Sequence, residues 1–384
     1  MTSTVLPSPP GAMQILILQD RLRSGGTERQ SVLLANAFAA TGHAATLLTF
    51  RPGGVLAATV APAITRRVLQ PFDAGMDWFA PGLYREVRRA QPDIILCMGR
   101  MANCYAGGLQ ERFPTTSVIA TMRTGKKLPR LFRRSLGIVR AIVANSHDAR
   151  ANLIAHHGVA PERVSVIHNS LVFPPAPVTG LRTQLRANHG ATNNTVVLLC
   201  VAMFRPEKNQ RELIELAAQL PADLDWQLWL GGDGPARPAC EKLAAEKSLV
   251  ARVKFLGWQR DPAPLYAAAD LAVHASWSEA LSNFLIESQA SGLPVVAYDA
   301  QGIAECFVPD DTGYVIARDN RAAFLEKILH LSCATAAEKS ARAEHARTYA
   351  RDAFDPARQV ARYLELFARL QRSAANLNTT PPLA

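Results

Sequence analysis

Two glutamates, Glu279 and Glu287, stand eight positions apart within SWSEALSNFLIESQASGLPVV, residues Ser276 to Val296. Carboxylates at that spacing, where a loop enters a helix, can take hydrogen bonds from sugar hydroxyls. Asp270 to His274 before the stretch reads as a buried strand and Pro294 to Tyr298 after it as another. Between them the pattern predicts a loop, a helix of about three turns starting at Ser282, and a stop at Gly292. In open α/β sheets, ligands sit where the carboxyl ends of strands meet helix N-termini. The backbone N–H groups of Asn283, Phe284 and Leu285 are then unpaired donors facing an anion, with the helix dipole behind them. Glu287 lies one turn further along and Glu279 in the preceding loop. A socket of this kind suits a nucleoside diphosphate carrying a sugar. Ser276 and Glu279 also fit a capping box, which would make Glu279 purely structural.

A second charged group follows the apolar strand Thr195 to Ala202, in Met203-Phe204-Arg205-Pro206-Glu207-Lys208-Asn209. Arg205 and Lys208, at a strand end beside a helix start, are apt for neutralising a leaving diphosphate. The alternative is a pair of surface charges at a turn. Near the amino end, the strand Gln14 to Leu18 runs into Arg23-Ser24-Gly25-Gly26-Thr27-Glu28-Arg29 and then a helix. Gly25 and Gly26 would let the backbone approach a phosphate or sugar, or simply make a turn. The absence of G-x-G-x-x-G disfavours a nicotinamide cofactor. Trp258, after the strand Val253 to Leu256, could stack on a base or pack against the next helix.

Glu279-Ala280-Leu281-Ser282-Asn283-Phe284-Leu285-Ile286-Glu287 resembles the E-x7-E element of the retaining glycosyltransferases of GT-B architecture, the large family four. The following ASGLPVVAYDAQGIAE is similar to the family's strand and Gly-Gly-x-x-Glu turn. Gly25-Gly26-Thr27-Glu28 resembles its Gly-Gly-x-Glu loop, and Gly232-Asp233-Gly234-Pro235 its Gly-x-Gly-Pro loop. Lys208 matches the lysine of its Gly-Arg-Leu-x-Pro-x-Lys loop, while Met203 stands at the usual arginine and Arg205 two residues later. A family histidine after the fourth major strand is replaced here by Met122-Arg123. The resemblance implies two Rossmann-like domains facing a central cleft. The first, residues 12–172, would bind the acceptor, and the second, 190–352, the donor. A helix over 353–371 would cross back to the first domain. It further implies sugar transfer from a nucleotide-sugar co-substrate to a hydroxyl with retained configuration. Lys208, Arg205 and Glu279 would be catalytic, with Glu279 on the donor sugar. Gly25, Gly26, Asn283, Phe284, Leu285, Trp258 and Glu287 would bind the donor, with Glu287 on the ribose. A non-catalytic relative, or a related enzyme with a soluble product, is the alternative.

The chain of 384 residues, 48% hydrophobic and 19% charged, is long enough for two cores. No apolar run is long enough to span a bilayer, and no secretory signal is read near the start. The six cysteines are scattered without a C-x-x-C, which points to neither zinc nor disulfides, and a reducing cytoplasm fits. No metal, cofactor or nucleic-acid partner is expected. The net charge of +10 is uneven. Residues 1–170 hold 20 Lys+Arg against 9 Asp+Glu (+11), and the rest 22 against 23 (−1). The densest patch is Arg123, Lys126, Lys127, Arg130, Arg133 and Arg134, interleaved with Leu128, Leu131, Phe132 and Leu136. Such mixing suits the inner face of an anionic membrane, at about 1 kcal/mol per basic residue, or else a solvated basic face, and Arg123 could hold an acidic acceptor group. A lipid-linked or polysaccharide acceptor in envelope or exopolysaccharide assembly is the resulting expectation.

The remaining segments alternate. Residues 45–50, 93–97, 117–121, 141–144 and 164–168 read as strands of a βαβ domain, with a helix capped by Ser146 and ending near Gly158. The scattered histidines 43, 147, 156, 157 and 168 lack metal-ligand spacing. Phe173 to Pro177 reads as a stiff linker, and residues 226–230 as a strand of the second domain. Residues 320–352 read as two helices, and Pro356 to Leu370 as an amphipathic one. Met1 to Gly11 and the chain from Ser373 onward read as disordered.

Overall fold

The computed structural model describes residues 11–173 and 180–379. Met1 to Pro10, most of the proline-rich segment after Phe173 and the last five residues lie outside them. The chain divides into two units. One comprises residues 1–170 together with 356–384, the other residues 171–355.

The first unit is a sheet of seven strands, all pairings parallel: β1 Gln14–Gln19, β2 Ala44–Thr49, β3 Thr65–Val68, β4 Ile94–Cys97, β5 Ser117–Met122, β6 Ala141–Ala144 and β7 Val164–Val166. Their order is β3-β2-β1-β4-β5-β6-β7. The inner strands are continuous apolar runs because helices cover both faces of a parallel sheet. All four residues of β4 and of β6 are buried. The helix His147–His157 is bounded as its sequence dictates. Ser146 Oγ accepts the Ala149 N–H at 3.0 Å, and Gly158 closes it in the left-handed region at φ 62°.

Helix Pro356–Thr379 belongs to this unit, as expected for a returning helix. Val360, Tyr363, Leu366 and Phe367 are buried in one cluster with Met13, Ile15, Ile17 and Phe38. The Phe38 and Phe367 rings lie 5.5 Å apart. The helix runs on to Thr379, so the expectation of disorder from Ser373 is corrected for residues 373–379. Its start at Pro356 follows from a preorganised φ at the first helical position.

The second unit is a six-stranded sheet, again parallel at every pairing: β8 Val196–Val201, β9 Trp226–Gly231, β10 Val253–Gly257, β11 Leu271–His274, β12 Val295–Tyr298 and β13 Gly313–Ile316. The order is β10-β9-β8-β11-β12-β13. This unit begins at Leu171 and takes in helix Leu181–Asn188, ahead of the expected start at residue 190. The reason is an arginine pair. Arg186, 1% exposed, bonds the Thr192, Thr195 and Ala268 carbonyls and shares Asp270 with Arg182. Two strands escaped the sequence reading. β3 carries Arg66 and Arg67 on a largely exposed edge, and β13 is a short edge strand of four residues.

Truncating Phe367 to alanine should cost the first unit about 3–5 kcal/mol, because it opens a cavity against Phe38 and Tyr363. Urea unfolding measures this. A loss below about 1 kcal/mol would show that the last helix adds little to that core.

Candidate active site

In an open parallel sheet, strand order reverses at one place, and the crevice outside the carboxyl ends there is where ligands bind. In the second unit that place lies between β8 and β11, which pair through Leu198–Leu271 and Leu199–Ala272. The chain leaving β8 makes the 3₁₀ turn Pro206–Lys208, and the chain leaving β11 carries Ser276 to Ser282. Two bonds to one carbonyl tie these loops together. Ser276 Oγ and Trp277 N–H donate to Glu207 O at 2.9 and 3.1 Å.

Those ties bring the sequence's best candidates into contact. Lys208 Nζ is ion-paired and hydrogen-bonded to Glu279 Oε1. The same oxygen meets His274 Nε2 at 3.0 Å. Glu279 is only 8% exposed. Its burial pushes the carboxyl pKa up, but the Lys208 charge and the His274 hydrogen bond pull it down further, to about 2. Ser276 bonds Glu207 and the Ser278 carbonyl, so the capping-box alternative for Glu279 is not formed. Arg205 is half-buried at the start of the 3₁₀ turn, and its side chain meets no partner among the described residues.

The helix after this loop is Asn283–Ala290, shorter than the expected three turns. Ser282 at its N-cap makes no side-chain capping bond, and the first helical bond runs from Ile286 N–H to Ser282 O. The N–H groups of Phe284 and Leu285 have no acceptor among the described residues, while both side chains are buried. Glu287, half-buried, accepts the Tyr266 hydroxyl at 2.6 Å. Gly302, in the turn after β12, packs on the Glu279 loop. At φ 73°, a β-carbon there would lie 2.0 Å from Ala280 O. Trp258 follows β10 at the sheet edge and is 48% exposed, so its indole is not core.

The remaining candidates lie in the first unit. Gly25 is the N-cap of helix Gly26–Ala40 with an ordinary extended φ of −73°. Its lack of a side chain makes room for Glu28, whose Oε2 would lie 2.4 Å from an added β-carbon. A carboxylate thus stands where the Gly25–Gly26 loop was expected to receive a phosphate. Arg123 donates to Asn169 Oδ1 at 2.5 Å and to Tyr363 Oη at 2.7 Å. These bonds tie Arg123 to the last helix and commit much of a guanidinium that the sequence reading offers to an acidic acceptor. Lys126 and Lys127 are exposed. On helix Arg130–Ile138, Phe132 and Leu136 are buried, whereas Arg130, Arg133, Arg134 and Leu131, the last 62% exposed, face outward.

Four features escaped the sequence reading. His274 closes a strand whose apolar run hid it, although a polar last residue is itself a signal. Tyr266 pairs with Glu287 from another helix. At the first unit's own reversal point, between β1 and β4, Asp20 accepts the N–H groups of Met101 and Ala102 at 3.0 and 2.7 Å. Burial, partly offset by these bonds, raises its pKa to about 6. His147 and His168, 21 positions apart in sequence, meet edge to face at 5.8 Å.

The profile described as Glycosyl transferases group 1 matches residues 182–350, and that of Glycosyltransferase Family 4 matches residues 24–171. The chain belongs to this glycosyltransferase family. It is 38% identical over 117 residues to the lipopolysaccharide core biosynthesis glycosyltransferase LpsE of Rhizobium meliloti, across 30% of this chain and 34% of that one. It is 33% identical over 189 residues to a D-inositol 3-phosphate glycosyltransferase of Rhodococcus opacus, across 46% and 41%. The chain therefore spans well under half the length of these relatives. Anabaena Alr3699/HepE, solved in complex with UDP and glucose, superposes with a TM-score of 0.78 over 93% of this chain and all of that one, at 22% identity. Its likeness establishes the GT-B fold.

Lowering the pH tests the ion pair. A carboxyl held below its ordinary 4.5 stabilises the fold above that value and loses the contribution as pH falls toward 2. Glu279→Gln should lack that part of the acid loss, up to about 3 kcal/mol. Urea unfolding of both proteins across this range, followed by tryptophan fluorescence, reads the difference, and parallel acid profiles would contradict the pairing.

Proposed function

We propose that this protein transfers a sugar from a nucleoside-diphosphate donor to a hydroxyl of a lipid-linked or polysaccharide acceptor, with retention at the anomeric carbon. The observation that carries the reading is the Lys208–Glu279 pair at the β8/β11 reversal point, beside a helix N-terminus with uncapped donors. A diphosphate placed there has Lys208, Arg205 and the Phe284 and Leu285 N–H groups to stabilise its charge as it leaves. These cations take the part that a metal ion would otherwise play. Glu279 then holds donor hydroxyls. Glu287, oriented by Tyr266, takes the ribose, and the exposed face of Trp258 stacks on the base. The leaving phosphate itself receives the acceptor proton, so no separate base is assigned. Support for the donor class comes from HepE, described with UDP and glucose, and for the acceptor class from LpsE, named for lipopolysaccharide core biosynthesis.

The basic face at Lys126, Lys127, Arg130, Arg133 and Arg134 supports attachment to an anionic membrane surface, with Leu131 as its apolar contact. No described helix is long and apolar enough to cross a membrane.

Lys208→Ala should lower kcat by roughly 10²–10³, far more than it weakens substrate binding, because the ammonium matters most when charge develops on the leaving group. Steady-state kinetics on the sugar nucleotide identified by thermal-shift screening decide this. Unchanged kcat would remove Lys208 from the reaction. Sedimentation with liposomes should depend on anionic lipid and weaken with salt, and equal binding to neutral vesicles would refute the surface proposed.

A further inference from the structure

The Glu279 carboxylate has two partners, and only one of them, Lys208, is exposed enough to turn away. Lys208 is partly exposed, with 24% of its side chain accessible, and sits on a turn at the rim of the sheet. His274 is 1% exposed and is the last residue of β11. A carboxylate only accepts hydrogen bonds, so His274 must donate its Nε2–H to Glu279. The opposite nitrogen, Nδ1, is buried and meets no partner among the described residues. Lys208 and Glu279 by themselves carry no net charge.

Among the described residues, the titratable group bonded to the ring is Glu279. The Phe284 ring, 5.8 Å away, covers it from the following helix. Cys200 on β8 and Cys306 beyond β12 are thiols raised by burial, and they stay uncharged. The neighbouring strand β12 faces His274 through Ala297, which carries no charge. Glu279 is the charged group bonded to it, and Lys208 shares that same carboxylate oxygen.

This arrangement conflicts with the task assigned to Lys208 above. An ammonium that turns toward a diphosphate leaves a buried carboxylate without its cation, which is costly in a medium of low polarity. We propose that nucleotide binding is coupled to uptake of one proton by His274, whose Nδ1 takes it from solvent. The resulting imidazolium keeps the Nε2–H···Oε1 bond and replaces the charge that Lys208 withdraws. Glu279 thereby stays ionised and able to accept a donor-sugar hydroxyl. One N–H bond forms at Nδ1 as hydronium or the buffer acid gives up that proton, and the buried pair remains neutral. His274 is in this sense a positioning residue for Glu279, and the inference rests on the donor-site reading of Lys208.

Calorimetric titration with UDP at about pH 8, where the terminal phosphate carries no proton of its own, tests the coupling when run in HEPES and in Tris. The heats should differ between buffers by an amount that gives about one proton taken up per UDP bound. His274→Gln retains a donor to Glu279 but has no vacant basic nitrogen, so it should bind UDP with uptake abolished. In Lys208→Met the histidine already faces Glu279 alone and holds its proton beforehand. That variant should bind roughly tenfold more weakly or worse, and also without uptake. Equal heats in the two buffers for the native protein, or uptake persisting in His274→Gln, would overturn the proposal. Failure of folded native protein to bind UDP, GDP or ADP would defeat the donor-site reading itself, and the proton coupling with it.

Discussion

A carboxylate that is 8% exposed cannot stay ionised by itself, and the neighbourhood of Glu279 is arranged around that constraint. The cation arrives from the chain after β8 and the imidazole from the end of β11, so the pair forms only because those strands are neighbours in the sheet. The Glu207 carbonyl then fixes the spacing of the two loops by accepting from Ser276 and Trp277. On the far side, Gly302 lets the next turn lie against Ala280, where any side chain would collide. Loss of one tie would leave either a charge or a backbone group without its partner.

The two units use the same place in a parallel sheet in different ways. At each reversal point an acid follows the strand, Asp20 in one and Glu279 in the other. Asp20 spends both oxygens on the first N–H groups of a helix, which makes it a cap. Glu279 instead faces a lysine and leaves the neighbouring helix N-terminus uncapped. That difference leaves the Phe284 and Leu285 N–H groups of the second unit without an acceptor among the described residues, while the first unit has its corresponding donors already satisfied. The Gly25 loop of the first unit follows the same logic, since Glu28 folds back over it.

The last helix shows how a residue that reads as chemical can be structural. Arg123 follows β5, where the sequence suggests an acceptor contact. Its guanidinium reaches Tyr363 on helix Pro356–Thr379 and Asn169 beyond β7. Together with the Phe38, Tyr363 and Phe367 rings it seats that helix on the first unit. The basic helix next to it keeps its charges outward because Phe132 and Leu136 take the buried face.

Local physics made much of this legible in the linear chain. Apolar runs bounded by Gly and Ser predict the central strands, Ser146 and Gly158 delimit a helix, and the strand, loop and helix around Glu279 and Glu287 mark the candidate site. The short edge strands β3 and β13 were not legible, because edge strands bury too little to carry an apolar pattern. Neither was the contact between Lys208 and Glu279, 71 positions apart, or the place of His274 beside them. Side-chain type and spacing set the local elements. Which strand lies beside which is decided only when the sheet assembles, and that order places a lysine, a glutamate and a histidine in one buried contact.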